Sequence, residues 1–414
     1  MKSDLDTLMQ DNQIDALLIT GPGQHNPEMV YLTGISPLTN ADLIKKQGHP
    51  PVLYHHSMER DEAAATGLQT KNLADYDFNQ LLKNAGGDRA KAIASRYQCM
   101  LTEQGITSGR LGLYGRADAG ASYSIFTALR ELMPDLTLVG EQDSSVMLKA
   151  MSTKDPEEVD RIRRMGKITT EVVGRVAEFL SGHVSRRDTL IKTDGEPLTI
   201  GEVKRKITLW LAEMGVENLE GTIFSIGRDA GVPHTAGSPA DLIRLGQTIV
   251  FDIFPCEMGG GYFYDFTRTW CLGYAPDEVL SAYENVYTVY NQILEELAPG
   301  TDCRSYQLRA CELFESQGHP TILSQPMTVQ GFVHGLGHGL GLNIHERPMF
   351  SLASSAEETL QPGVVITVEP GLYYPDQGFG VRLEDSVYIA EDGRVEILAE
   401  FPLDLVLPIR SRQV

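Results

Sequence analysis

The chain has 414 residues, which at ~150 residues per domain allows two to three domains. Lys and Arg total 35 against 56 Asp and Glu, a formal charge of −21, and that balance disfavours a nucleic-acid partner, whose phosphate backbone needs a surplus of cations. With 42% hydrophobic and 22% charged residues the composition is that of a folded globular protein and excludes wholesale disorder.

In chain order, residues 14–20 form a short apolar run ended by Gly21-Pro22-Gly23, which predicts a buried strand. Residues 29–33 and 51–54 predict two more strands. A helix is predicted over 89–103, a strand over 111–114, a helix over 122–132 and a strand over 136–139. Such alternation predicts a small α/β domain with a parallel or mixed sheet. Near residue 150 the pattern changes. Asp155-Pro156-Glu157-Glu158 supplies an N-cap, a proline suited to the first helical position and a glutamate that closes a reciprocal cap. Val159, Ile162, Met165, Ile168, Val172, Val176 and Phe179 then mark one apolar stripe. A second capped helix starts at Thr199-x-x-Glu202, and the polar stretch 182–197 is expected to be a surface excursion. Beyond 220, hairpin-like segments alternate with helices over 277–297 and 303–317, an α+β pattern. The expected domains are 1–150 and 151–414, with the boundary near 145–154.

No stretch approaches the ~18 continuous apolar residues of a membrane span. The first six residues lack the apolar core of a signal peptide. Five scattered cysteines without a Cys-x-x-Cys pair argue against a disulfide framework or a thiolate zinc site. A cytoplasmic protein without a membrane partner is expected.

Nor is there a phosphate-binding G-x-x-x-x-G-K-[ST] loop, and Gly21-Pro22-Gly23 lacks the third glycine of a dinucleotide turn. Four carboxylates stand out instead. Asp252 lies in the apolar run 250–254 and Asp265 in the aromatic run 262–266; Glu369 follows Val365-Ile366-Thr367-Val368, and Glu384 follows Val381-Arg382-Leu383. Each pair suits two antiparallel strands, whose facing side chains are only ~5 Å apart at Cβ. One isolated buried acid usually meets an Arg or a backbone donor. Four acids in two matched apolar hairpins are explained more simply by cations, and two divalent ions balance four carboxylates with hard oxygen donors. The block from His334 to Pro348 adds His334, His338 and His345. Glycines at 335, 337, 339 and 341 oppose a helix there, so a strand or extended loop with close backbone approach is expected. One metal-bound imidazole and one or two free ones for proton handling fit this set, and His234 is a further candidate.

Taken together, these residues resemble the metallopeptidase family of the creatinase/aminopeptidase, or pita-bread, fold. The resemblance covers nearly the whole chain. It rests on Val30-Tyr31-Leu32-Thr33-Gly34, Gly261-Tyr262-x-x-Asp265-x-Thr267-Arg268-Thr269, the His-Gly-x-Gly-His block, Glu369-Pro370-Gly371-Leu372-Tyr373 and Arg382-x-Glu384-Asp385. It implies a creatinase-type α/β N-terminal domain and an α+β pita-bread catalytic domain. It further implies that Asp252, Asp265, His338, Glu369 and Glu384 hold two divalent metal ions, with Asp265 and Glu384 bridging both, Asp252 on the first, and His338 with Glu369 on the second. Manganese is the expected ion, with cobalt, zinc, iron or magnesium as alternatives. His234, His334, His345 and Arg382 match positions that contact substrate or relay protons; Arg382 is expected to orient Asp265 or Glu384, and Tyr373 to line the pocket or to be a core tyrosine. One departure stands out. Asp252 and Asp265 are thirteen apart, two more than the usual interval, and Phe254 replaces a common glycine, so 256–259 should form a longer hairpin tip.

The implied activity is an Xaa-Pro aminopeptidase or Xaa-Pro dipeptidase (prolidase) that cleaves the amide bond N-terminal to proline by a metal-bridging hydroxide, with Glu369 passing the proton. The same site acting on a small non-peptide metabolite, as amide hydrolase or lyase, is the alternative. A non-catalytic binding module would need lost ligands, and all five are present. The substrate is thus a peptide or small-molecule amide, and the resemblance implies a homodimer or homotetramer.

Overall fold

The computed structural model describes residues 4–142, 145–355 and 358–410. Among these, the chain divides into one unit that ends at Met151 and includes Gly259–Gly261, and a second formed by Ser152–Met258 and the residues from Tyr262 onward.

In the first unit the apolar run becomes β1 (Ala16–Gly21), placed inside a six-stranded mixed sheet. With β2 (Ala41–Lys46), β3 (Val52–His55), β4 (Gln69–Asn72), β5 (Gly109–Gly115) and β6 (Leu136–Val139), the order is β4-β3-β2-β1-β5-β6. β1 runs parallel to β5 and antiparallel to β2. Helices Arg89–Glu103 and Ala119–Leu132 are capped by Asp88 and Asp118, whose carboxylates accept backbone N–H bonds at 3.1 and 2.8 Å. Their Ala94, Met100, Leu101 and Leu129 join the core with Leu18 and Leu111. One expected strand is a helix: Pro27–Thr33 replaces the strand over 29–33. Pro27 sits at its first turn, where a missing N–H costs nothing, and Gly34 ends it at φ 71°. A five-residue apolar run has no periodicity long enough to separate the two states.

The second unit opens with helix Pro156–Ser181. Its capping box is formed, with the Asp155 N–H donating to Glu158 Oε2 at 2.7 Å, and Val159, Ile162, Met165, Val172 and Val176 bury its stripe. The stretch expected to be a surface excursion contains a short hairpin. β7 (Val184–Arg186) and β8 (Thr189–Ile191) turn at Arg187 and Asp188, both at positive φ (52° and 58°), and Leu190 is buried. Helix Ile200–Glu213 follows, capped by Thr199 and Glu202.

Two sheets carry the site. In the first, β10 (Thr222–Ile226), β11 (Thr248–Ile253), β13 (Phe266–Leu272) and β21 (Val406–Leu407) lie in that order, while β9 (Val216–Glu217) pairs separately with β12 (Cys256–Glu257) in the long hairpin tip. In the second, β14 (Gly337–Gly339) lies between β15 (Glu346–Phe350) and β16 (Val365–Val368), followed by β19 (Asp385–Ile389) and β20 (Val395–Ile397). The hairpin β17 (Gly371–Tyr374)–β18 (Phe379–Arg382) springs from the β16–β19 connection. Helices Asp277–Glu296 and Cys303–Ser316 bury Val286, Tyr290 and Phe314 in a core shared with Ile366 and Val381. The sheets join where Thr267 and Glu384 form a backbone bridge. Beside it Arg268 of β13 pairs with Asp385 of β19 at 3.0 Å, both buried. Its guanidinium also donates to the carbonyls of Thr267, Glu384, Phe401 and Pro402, so this buried charge is fully partnered.

Candidate metal centre and active site

The four acids gather where the two ladders end. Asp252 sits on β11 facing Thr267 of β13, and Asp265 immediately precedes β13. Glu369 immediately follows β16 and Glu384 immediately precedes β19, where Val368 faces Asp385. The acids are therefore offset along the ladders rather than paired directly across them. His338 is the middle residue of β14. Its neighbours must be glycine: a Cβ on Gly337 would lie 2.1 Å from the Thr367 carbonyl oxygen, and one on Gly339 2.1 Å from that of Arg347. The extended reading of the His-Gly block follows from this close approach. Ligand atoms of Asp265, His338 and Glu384 all lie within 4.8 Å of one another. His338 Nε2 is 3.6 Å from Asp265 Oδ2 and 3.5 Å from Glu369 Oε1.

Burial pushes the Asp252 carboxyl above its usual range, although the Arg382 guanidinium opposes the shift. Asp265 and Glu384 are raised well above theirs, first by burial and then by the neighbouring carboxylates. Burial likewise raises Glu369 to about 7 and lowers His338 to about 3, so the imidazole is neutral. His338 Nδ1 donates to the Gly339 carbonyl at 3.0 Å, which leaves the Nε2 lone pair pointing at two carboxylates. Lone pairs facing each other at such range repel unless a cation lies between them. Asp252 Oδ1 is buried without a partner. Four oxygen donors, one correctly tautomerised imidazole and an orphaned carboxylate oxygen fit divalent cations.

The remaining candidates divide. His234 and His345 are exposed and line the same cavity of about 710 Å³ as the acids, and the His345 ring stacks edge-on against His338 with centroids 4.4 Å apart. Although the residue as a whole is exposed, the protein packed around its ring lowers His345 from the ordinary histidine value. Phe254, the substitution noted in the sequence, lines this cavity too. His334 also borders it, but both ring nitrogens are engaged: Nδ1 with the Gly335 carbonyl at 2.6 Å and Nε2 with the Tyr373 hydroxyl at 2.8 Å. Burial drives it to about 3, so it is neutral. Two expectations need correction. Tyr373 is wholly buried and lines no part of the cavity; it stands behind Arg382, accepting from Nη1 at 2.8 Å. Arg382 orients Asp252, at 2.6 Å, rather than Asp265 or Glu384. The reason is register: β18 passes beside β11, while Glu384 is held by the Thr267 hydroxyl at 2.6 Å.

Residues to which sequence reasoning gave no role support the acids from behind or line the cavity beside them. Thr267 and Thr367 are fully buried; the Thr367 hydroxyl accepts from the His338 N–H at 3.1 Å and donates to Glu369 at 3.4 Å. The available signal was a threonine two residues after Asp265 and another two residues before Glu369, the latter inside the apolar run Val365–Val368. Lys204 and Glu220 also line the cavity, and nothing in their local pattern marks them.

Among curated proteins, the chain is 27% identical over 402 residues to the Xaa-Pro dipeptidase of Pyrococcus furiosus, covering 95% of this chain and 97% of that one. It is 25% identical over 390 residues to the Xaa-Pro dipeptidase of Pyrococcus horikoshii, covering 93% of each. Among solved structures, an Xaa-Pro dipeptidase from Bacillus anthracis superposes with a TM-score of 0.75 at 20% identity over 97% of this chain and 99% of that one, a shared fold. Residues 2–143 match the creatinase/prolidase N-terminal domain. Residues 160–391, more than half of the chain, match metallopeptidase family M24. The chain belongs to metallopeptidase family M24, a membership that implies divalent metal ions.

Proposed function

We propose that this metallopeptidase cleaves the amide bond N-terminal to proline, as an Xaa-Pro dipeptidase or Xaa-Pro aminopeptidase. The observation that carries the reading is the neutral His338, whose Nε2 lone pair faces Asp265 and Glu369 at 3.6 and 3.5 Å inside a substrate-sized cavity. Near-full-length similarity to two Xaa-Pro dipeptidases supports the choice of substrate.

In this reading Asp252, Asp265, His338, Glu369 and Glu384 would hold two divalent ions. When bound, such ions lower the pKa of water and polarise a scissile carbonyl. Glu369, 18% exposed on the cavity side, takes the proton of the attacking water at its carboxylate and hands it on. His234 and His345 offer ring N–H groups to the carbonyl oxygen and the departing nitrogen. Arg382 holds Asp252 in place, and Tyr373 accepts from Arg382 and is itself hydrogen-bonded to His334, so these three position rather than react. Manganese suits a donor set of four carboxylates and one imidazole, and a homodimer or homotetramer is the proposed assembly.

Purified protein loaded with manganese, assayed against Xaa-Pro dipeptides and longer Xaa-Pro-Yaa peptides, should cleave at least one class at the bond before proline. Failure on both classes with metal bound would reject the reading and turn attention to a small-molecule amide.

A further inference from the structure

We propose that Lys204 is a specificity-determining residue that anchors the carboxylate of the substrate, so that the cavity selects peptides ending one residue beyond the scissile bond. This rests on the peptidase reading above and goes on to the choice between dipeptides and longer chains.

Lys204 lies on helix Ile200–Glu213 and borders the same cavity as Asp252 and Glu369, with Thr208 one turn further along the helix. The lining contains two fixed cations, Lys204 and Arg382. Arg382 is committed: its guanidinium donates to Asp252, Thr267, Tyr373 and the Pro233 carbonyl, and it is almost wholly buried. It has little left to offer a ligand. Lys204 stands differently. Among the described residues no carboxylate lies within ion-pair distance of its ammonium, whereas Lys192 in the preceding segment is paired with both Glu202 and Asp194. One N–H of Lys204 donates to the Ala236 carbonyl, which leaves two of the three donors of an ammonium. Partial burial lowers its pKa, with no acid opposing the shift. A cation that faces the cavity with two spare donors and no paired carboxylate is placed to receive an anionic group.

The location narrows what that visitor is. Ala236 is two residues from His234 on the same loop, so the ammonium stands on the His234 side of the cavity. Elsewhere the wall carries Asp252, Asp265, Glu369, Glu384 and, at the rim, Glu220. Of the two fixed cations in this lining, Lys204 is the one whose donors are not all committed to protein partners, so a substrate carboxylate is matched in charge there. A dipeptide presents a carboxylate beside its reacting bond; a longer peptide or an amidated one presents a neutral amide there.

The alternative role for Lys204 is to pin the Ala236 carbonyl and hence the His234 loop, which would affect all substrates alike. Two substitutions separate the roles: Lys204→Met removes both charge and donor, and Lys204→Gln keeps a donor for Ala236. The manganese-loaded protein and both variants are titrated calorimetrically with proline against prolinamide and with leucine against leucinamide. They are then assayed on an Xaa-Pro dipeptide against its C-terminal amide. The wild-type protein should prefer the acid by about 10-fold to 100-fold, the range of one charge-assisted bond. In both variants the acid-to-amide ratio should collapse toward one, chiefly through KM. A wild-type ratio near one, or a ratio that survives either substitution, overturns the proposal. If the wild type prefers the acids in calorimetry yet cleaves no Xaa-Pro peptide, the proline reading falls and the carboxylate anchor stands. If it cleaves dipeptide and amide equally, the anchor falls and the peptidase reading stands.

Discussion

Thr267 occupies the point where the two acid-bearing ladders meet. Its hydroxyl donates to Glu384 at 2.6 Å and accepts from Arg382 Nε at 3.2 Å, so one side chain orients both a ligand and the guanidinium behind Asp252. Thr267→Val keeps the shape and removes both bonds. Loss of such an outer hydrogen bond typically costs 10- to 100-fold in metal affinity, and we expect manganese affinity to fall by about that factor while the circular dichroism spectrum stays native. An unchanged affinity would mean that Glu384 is held by other groups. At this scale the sequence was informative about which residues matter and poor about whom they touch. Asp252, Asp265, Glu369 and Glu384 were visible because a charge inside an apolar strand demands an explanation. The partner of Arg382 was not, since Asp252 and Arg382 are 130 positions apart and meet only through the passage of β18 beside β11. Tyr373 was equally opaque: burial behind Arg382 and exposure to the cavity look the same in a Leu-Tyr-Tyr run.

Among the elements, the ladders owe their junction to Arg268 and Asp385. This ion pair is buried on both sides and tied to β13, β19 and the segment at Phe401–Pro402. Removing one partner of a buried pair leaves an uncompensated charge and costs about 3–5 kcal/mol. Asp385→Asn should therefore lower stability by that amount in denaturant unfolding, together with the metal affinity of Glu384 next to it. A loss under about 1 kcal/mol would show that the carbonyls around Arg268 suffice by themselves. Helices beginning at Pro156 and Ile200 were legible because their caps are chemical signatures at fixed spacing. The Pro27–Thr33 helix was not, because five apolar residues fit either period, and the β7–β8 hairpin was hidden because its turn uses Arg187 and Asp188 at positive φ instead of Asn-Gly. The extended course of the His-Gly block was readable from its glycines, whose missing Cβ atoms let β14 lie against β15 and β16.

Across the whole molecule, the formal charge of −21 is partly concentrated at one interior point, where four carboxylates crowd a neutral imidazole. That concentration has a physical reason only if cations balance it. The fold class was legible because the motifs lie in order along nearly the full chain, whereas Lys204, on which the proposed selectivity rests, reaches the cavity from outside those motifs. Among the described residues no helix is long and apolar enough to cross a membrane. The most direct test of the account is anomalous diffraction from crystals of the protein soaked in manganese. It predicts two peaks per chain, both in contact with Asp265 and Glu384, one also with Asp252 and the other with His338 Nε2 and Glu369. Absence of any peak among these five side chains at saturating manganese, or peaks only elsewhere, would contradict it.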